Sequence, residues 1–267
     1  RNVACAGGDP IGGTNNLNFG NPERPEIMWQ LAEAVRGIGD ACCALDIPIT
    51  GGNVSLYNET EGESIYPTPV IGVVGLLEDA SQTVTRRFKS DGAAVVVLGD
   101  NRGELGGSEY LAVLHDTVAG PAPELDLSRE KALQRLVLDA IRSGVIESAH
   151  DCAEGGLAVA LAECCFDTSL GISADVPSVG EAPIEFRINA TLFGESASRI
   201  VVSTPTDSLE ALLTLARSAR VPAHVIGRTG GEHIAIAVDG KTAIDVAAQA
   251  AENSWATAIE RRMTTTV

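Results

Sequence analysis

The chain has 267 residues and a formal charge of −17. That is enough for one large domain or two ordinary ones, and the acidity disfavours non-specific contact with nucleic acid or an anionic membrane. Apolar residues make up 45%, aromatics 4% and glycine 28 positions, which suits an α/β protein with glycine-rich loops, and no apolar run approaches the ~20 residues of a membrane span. The six cysteines include two adjacent pairs, Cys42–Cys43 and Cys164–Cys165, and no C-x-x-C. This argues against zinc and against a disulfide framework. All but Cys5 lie in apolar or helical context and are expected to be small buried hydrophobes in a reducing compartment. No signal peptide precedes "RNVACAGG" and the first residue is not Met. The expected location is therefore cytoplasmic, and the sequence reads as a piece of something longer.

In chain order, "GGTNNLNFGNP" is expected to be an amide-rich loop. After it, Ile27, Leu31, Val35, Ile38, Cys42 and Leu45 recur at three- and four-residue steps, the mark of an amphipathic helix, with Pro25 suited to its first turn. "IPIT" follows as a short buried strand running into Gly51. "TPVIGVVGLLED" reads as another strand, covered on both faces because its apolar run is continuous. A polar stretch, 80–92, serves as linker between a first domain, 1–79, and a second, 93–267. The second domain is expected to hold a strand at 93–98, a helix start near Ser108, and helices at 129–143 and 155–166. Strands around 185–203, a helix at 208–219, two further strands and a closing helical stretch complete it. Interleaved strands and helices predict α/β or α+β layers.

Several stretches could carry chemistry. In "ITGGNVSLYN", Gly51 and Gly52 lack a Cβ and let backbone approach a ligand. Asn53 offers a neutral oxygen to a hard cation such as Mg²⁺, and Ser55, two residues on, can bond a phosphate or sugar. A glycine bulge beside an exposed Asn is the plain alternative. Asn15 and Asn16 could touch a nucleotide or simply form Asx turns. Asp151 with Gly155-Gly156 could cradle an anion at a helix start, or Asp151 could merely cap it. Glu195, Ser196 and Arg199 read as an internal ion-paired group, and His115, His224 and His233 stand isolated. Residues 1–78 hold ten acidic residues, three arginines and no lysine. A polyphosphate bound there needs metal, helix N-termini or side chains from elsewhere.

"TNNLNFGNPERPEIMWQLAEAVRGIGDACCALDIPITGGNVSLYNET" and "YPTPVIGVVGLLED" closely resemble the phosphoribosylformylglycinamidine synthase family of purine biosynthesis. "ELGGSEYL", "AHDCAEGGLAVALAE" and "LFGESASRIVVS" match its following domain in order. The family enzyme is a tandem of two similar halves, and the resemblance places this chain in the second. The implied fold is a partial N-terminal domain like that of aminoimidazole ribonucleotide synthetase, followed by the matching C-terminal domain. The implied reaction is ATP-dependent amidation of formylglycinamide ribonucleotide by glutamine-derived ammonia. By resemblance, Asn15 and Gly52 would contact ATP, Asn53 would bind Mg²⁺ and Ser55 would contact substrate, with no catalytic residue in this chain. Many relatives have Asp where Asn15 stands, and an amide brings no charge.

The family's catalytic His, its ATP-binding Lys and its acidic metal ligands belong to the first half, which is the implied partner. A glutaminase subunit or domain and a small accessory subunit are the other partners, with no nucleic acid and no membrane. Rival readings are a non-catalytic lobe of the same enzyme that contacts partners, or a selenophosphate or aminoimidazole ribonucleotide synthetase relative.

Overall fold

The computed structural model describes residues 1–264. Its elements run α1 (Asn2–Cys5), β1 (Asp9–Asn18), α2 (Pro25–Leu45), β2 (Ile49–Ser55), β3 (Glu59–Thr60), β4 (Glu63–Ser64) and β5 (Thr68–Leu76). After a 3₁₀ turn at 80–82 come β6 (Ala94–Leu98), α3 (Glu109–His115), α4 (Leu127–Arg142), β7 (Ser148–Asp151), α5 (Gly156–Cys164), β8 (Ile172–Val176) and α6 (Ile184–Phe193). The chain closes with β9 (Ile200–Thr204), α7 (Leu209–Ala219), β10 (Ala223–Thr229), β11 (His233–Val238), β12 (Lys241–Ala247), α8 (Ala248–Ala256) and α9 (Ala258–Thr264). Two compact units result: a smaller one, Gly8–Glu78, and a larger one formed by Arg1–Gly7 with the chain from Asp79 onward.

In the smaller unit β1 lies between β2, parallel to it, and β5, antiparallel. The amide stretch is a strand and not a loop. Asn16, Leu17, Asn18 and Phe19 alternate polar and apolar, which is the two-residue period of a half-buried strand. Leu17 and Phe19 are buried against Ile27 of α2. α2 begins where extended Arg24 precedes Pro25, as the restriction on residues before proline requires. It ends at Asp46 in the left-handed conformation, whose N–H returns to the Cys42 carbonyl.

β5 differs from its expected cover. All nine of its residues are exposed, because α2 packs its Ile27 face over β1. Ile71 and Val73 instead line an apolar groove with Ile38, Cys42, Leu45 and Ile47. Ile49, expected buried, is exposed as well, while Ile47 just before β2 is buried. Cys43 is likewise exposed and Cys42 half-buried, whereas Cys5 is buried, the reverse of what their contexts suggest.

In the larger unit seven described strands form one sheet, ordered β12-β11-β8-β10-β6-β9-β7. β6, between β10 and β9, is wholly buried. Alternation splits it between two cores: Val95 and Val97 meet Leu157, Leu161 and Cys164 of α5, while Val96 and Leu98 meet Leu133, Leu136 and Val137 of α4 and Leu212 of α7. The helices at 129–143, 155–166 and 208–219 are found within two residues of expectation, and Ser108 accepts from the Leu111 N–H as the cap of α3.

The strands expected around 185–203 are α6 and β9. Ile184, Phe186, Ile188, Ala190 and Leu192 alternate perfectly, but Ile184, Ile188 and Leu192 also sit four apart. Burial follows the helix, with Leu192 in the core and Phe186 exposed. The stretch 80–92 is no free linker: Val84 and Phe88 are buried in the two cores, and the Phe88 N–H bonds the Cys164 carbonyl. Residues 1–7, expected in the first domain, pack with the larger unit.

Candidate functional site

The β1–β2 pair brings the two amide runs together in register: Asn15 opposite Gly52, Asn16 opposite Asn53, Asn18 opposite Ser55. Asparagine is disfavoured in strands, so four of them on two adjacent strands point to a use other than folding. Pleating divides them. Asn15 and Gly52 share the face on which Leu17 meets α2, while Thr14, Asn16, Asn18, Asn53 and Ser55 share the other.

Gly52 is required where it stands. A Cβ there would fall on Asn15 Oδ1 and lie 2.7 Å from the Asn15 carbonyl, whereas a Cβ on Gly51 meets nothing. On the opposite face Asn53 Nδ2 donates to Asn16 Oδ1 at 3.2 Å, and Thr14 Oγ1 donates to the Gly51 carbonyl at 2.9 Å. Ser55 Oγ bonds Asn58 Oδ1 at 3.2 Å, and Asn58 Nδ2 in turn bonds the Phe19 carbonyl. An open cleft of about 450 Å³ runs along this strand pair, lined by Thr14, Asn15, Asn16, Gly52, Asn53 and Val70 among others.

No charged side chain lines the cleft. An amide oxygen suits a hard cation, and Asn53 has one to offer, since its NH₂ is engaged by Asn16. It is a single ligand, however. Among the described residues no group of three or more His, Cys, Asp or Glu is arranged to hold a metal. The cleft's own residues therefore offer a cation no more than one neutral oxygen.

The second motif region, in the larger unit, is built differently. α5 starts at Gly155 and Gly156, both at positive φ, and a Cβ on Gly156 would stand 2.5 Å from the Gly194 carbonyl. Asp151 does not cap this helix. The Gly155 N–H bonds Glu195 Oε1 at 2.8 Å, and the same oxygen accepts from the Glu109 N–H of α3. The anion position at the start of α5 is thus filled from within.

Arg199 is fully buried, but it donates to the carbonyls of Ser196 at 2.9 Å and Gly194 at 2.6 Å. This corrects the ion pair expected with Glu195. Burial, the largest influence, lowers the Arg199 pKa. Asp151 lies 3.6 Å from Arg1 Nε. Arg1 also bonds Glu130 at 3.0 Å, and Ser198 and Gln134 donate to that same carboxylate. Burial opposes its ionisation, but Arg1 and the two hydrogen bonds together hold the Glu130 carboxyl below its ordinary value. His150, adjacent to Asp151, bonds Glu163 at 2.6 Å. Thirteen residues separate that pair, across a strand and a helix, and no local spacing announces it.

The family described as "AIR synthase related protein, C-terminal domain" matches residues 90–239, and its N-terminal domain matches 1–77. The chain is similar to "Phosphoribosylformylglycinamidine synthase subunit PurL" of Anaeromyxobacter sp. (strain Fw109-5), at 53% identity over 88% of this chain and 31% of that protein. It is likewise similar to the subunit of the same name from Moorella thermoacetica, at 46% over 96% of this chain and 34% of that one. It thus spans about a third of the length of these relatives. In fold it is similar to Thermotoga maritima PurL complexed with ATP (TM-score 0.71, 19% identity, 94% of this chain and 39% of that one). The same protein complexed with FGAR gives 0.75 at 19%, covering 94% and 40%, and T. maritima PurLQS gives 0.69 at 19%, covering 93% and 39%. With its C-terminal domain matched over more than half of the sequence and its N-terminal domain over most of the remainder, the chain belongs to the AIR synthase related proteins.

Proposed function

We propose that this chain supplies one wall of the nucleotide site of a phosphoribosylformylglycinamidine synthase, the carbon–nitrogen ligase that amidates formylglycinamide ribonucleotide. The observation that carries this reading is the open β1–β2 cleft, where exposed amides stand on strands that have no structural need of them. The PurL relatives support it at about half identity, and T. maritima PurL complexed with ATP and with FGAR agrees in ligand class. In the reaction, the formamide oxygen attacks the γ-phosphorus of ATP and ADP leaves. Ammonia then adds to the iminophosphate carbon, and phosphate leaves to give the amidine.

The residues of this chain bind and orient. Gly52 makes room for the Asn15 side chain, whose amide bonds neutral nucleotide groups and brings no charge. Asn53 would lend one neutral oxygen to Mg²⁺, which would neutralise phosphate charge, its other ligands coming from outside this chain. Ser55 holds the ribonucleotide. Charge around the γ-phosphate governs phosphoryl transfer, and the cleft has no cationic side chain of its own. Lysine, catalytic histidine and acidic metal ligands come from the first half of the enzyme, and ammonia from a glutaminase partner, with a small accessory subunit completing a cytoplasmic assembly. No described helix is long and apolar enough to cross a membrane.

A second reading applies to the larger unit alone. Its glycine-led motif is filled by Glu195, which favours a scaffolding role there over a second site of chemistry.

The test is turnover by the purified chain. With ammonia, ATP and the ribonucleotide it is expected to make no amidine until the complementing half is added; product from the chain alone defeats the half-site reading. In the full-length enzyme, Asn53→Ala is expected to raise the Mg²⁺ requirement and Ser55→Ala to weaken ribonucleotide binding, each by roughly ten- to a hundredfold for one charge-assisted bond. Unchanged values for both would remove the residue assignment.

A further inference from the structure

A hydroxyl has one proton and two lone pairs, so what it offers a ligand depends on where its proton is already engaged. At Ser55 the proton is engaged within the chain: Oγ donates to Asn58 Oδ1 at 3.2 Å. The direction of that bond is set by the other end of the amide. Asn58 Nδ2 donates to two main-chain carbonyls, that of Ser55 at 2.9 Å and that of Phe19 at 3.0 Å. A flipped amide would set its oxygen against both carbonyl oxygens and lose both bonds, so the network admits one orientation. Oδ1 is therefore the end facing Ser55, and as a pure acceptor it takes the Ser55 proton.

The backbone around the pair is equally determined. The Phe19 N–H donates to the Ser55 carbonyl at 3.0 Å, and the Asn58 N–H returns to the Phe19 carbonyl at 3.1 Å. Between them Tyr57 takes the left-handed conformation, φ 60°, and its N–H bonds the Gly20 carbonyl. Ser55 and Asn58 are both half-buried. Ser55 lies on the same face of β2 as Asn53, which lines the open cleft. What Ser55 has left for a ligand is a lone pair.

We propose that Ser55 meets the ribonucleotide as a hydrogen-bond acceptor, held so by Asn58 as a positioning residue. The group it recognises is then a donor, a ribose hydroxyl or an amide N–H, and not a phosphate oxygen. This rests on the reading of Ser55 as a substrate contact and narrows what that contact is. An ionised phosphate offers acceptor oxygens only. To bond one, Ser55 must withdraw its proton from Asn58 and leave a half-buried Oδ1 without a donor, which opposes binding by about tenfold.

The experiment uses the full-length enzyme and reads dissociation constants by isothermal titration calorimetry, without turnover. The ligands are formylglycinamide ribonucleotide and three analogues: the 2′-deoxy, the 3′-deoxy and the 5′-dephosphorylated compound. Ser55→Ala is expected to weaken the parent ligand about tenfold. Where the donor is a ribose hydroxyl, that cost disappears for the analogue lacking it and persists for the other two. Where the donor is an amide N–H, the cost persists for all three. A cost that disappears with the dephosphorylated compound overturns the proposal, because it assigns Ser55 to phosphate. If Ser55→Ala binds the parent ribonucleotide like the unaltered enzyme, the substrate contact itself fails and the proposal falls with it.

Asn58 is tested by a double-mutant cycle. With Asn58→Ala the Ser55 proton is free to turn, and the cost of Ser55→Ala is expected to fall to about threefold. Asn58→Asp keeps an oxygen for that proton and restores the cost to about tenfold, although both substitutions remove the Nδ2 bonds and lower the melting temperature. A cost still at tenfold with Asn58→Ala overturns the positioning role, since a merely structural Asn58 leaves it unmoved. Should Asn58→Ala fail to fold, the ligand series with Ser55→Ala still decides which end of the hydroxyl the ribonucleotide meets.

Discussion

Asn16 and Asn53 of the smaller unit lie on the open face of a strand pair and bond each other, while Glu195, Ser196 and Arg199 of the larger unit are turned inward onto backbone groups of their own fold. Both regions are glycine-bearing, polar and rich in motif. At the larger unit's motif both glycines meet another part of the same chain: Gly156 admits the Gly194 carbonyl, and Gly155 presents its N–H to Glu195. In the smaller unit Gly52 makes room for the Asn15 side chain, and Gly51 has open space beside it. Polar groups whose hydrogen bonds are made inside the fold, as these are apart from Arg199 Nη1, stabilise it. Those left facing a cleft are available to a ligand. The same residue types therefore carry opposite meanings, decided by what already occupies their bonds.

The sharpest way to break this contrast is Arg199→Ala in the full-length enzyme. It opens a cavity and leaves the Gly194 and Ser196 carbonyls without their donor, an expected loss of roughly 3–5 kcal/mol. For a unit of this size that corresponds to a melting temperature lower by about 6–20 °C, with turnover per folded molecule intact. Unchanged melting with turnover down a hundredfold would show that the larger unit's motif is catalytic after all.

Next in size is the pair Gly52→Ala and Gly51→Ala. The first must displace Asn15 and is expected to raise the KM for ATP at least tenfold. The second has free space and should stay within twofold; equal effects of the two would mean that the cleft does not need this close approach.

Glu195→Ala frees the N–H groups of Gly155 and Glu109 and is expected to destabilise by about 1–2 kcal/mol, with Glu195→Gln, which keeps an acceptor, recovering most of it. Denaturant midpoints for the two variants decide this, and a Gln variant as unstable as the Ala variant would locate the effect in charge.

Smallest is a dependence on pH. The Glu130 pKa is lowered by folding from its ordinary 4.5, so its contribution is fully present above that value and lost as pH falls through the lower folded value. Glu130→Gln should flatten acid unfolding below about pH 4.5. Parallel stability curves for the two proteins would remove Arg1–Glu130 as a cause.

Much of the fold was legible because long helices announce themselves twice, by periodicity and by caps. α2 has Pro25 and a three-to-four spacing, and α3 has Ser108. The errors have a common source in short segments whose apolar residues satisfy two periods at once. In α6 the alternation of Ile184 to Leu192 reads as strand, and in β1 the alternation from Asn16 to Phe19 was masked by asparagines, which suggest turns. Burial was misjudged in β5 and at Cys43, since composition reports how apolar a segment is and not whether anything lies over it. At the site, Asn15, Gly52, Asn53 and Ser55 were legible only through resemblance. The opposite facing of Asn15 and Asn53, the Asn16–Asn53 bond and the His150–Glu163 pair depend on register between segments more than ten residues apart, which no local pattern encodes.

The assignment of residues 1–7 to the larger unit has a topological consequence. Residues 1–7 pack with the larger unit, and the chain passes between the two units at Gly8 and again at Asp79. The smaller unit's two ends are side by side, since Asp9 pairs with Leu76. A body with adjacent ends places little demand on the chain to either side, because loop-closure entropy changes by only about 0.6 kcal/mol per doubling of length. The larger unit should therefore accept a short turn in place of residues 10–75 and still recruit Arg1 to Glu130. Conversely, a fragment beginning at Asp79 would lack α1, with Ala4 and Cys5 of its core, and would be the poorer choice for isolating that domain.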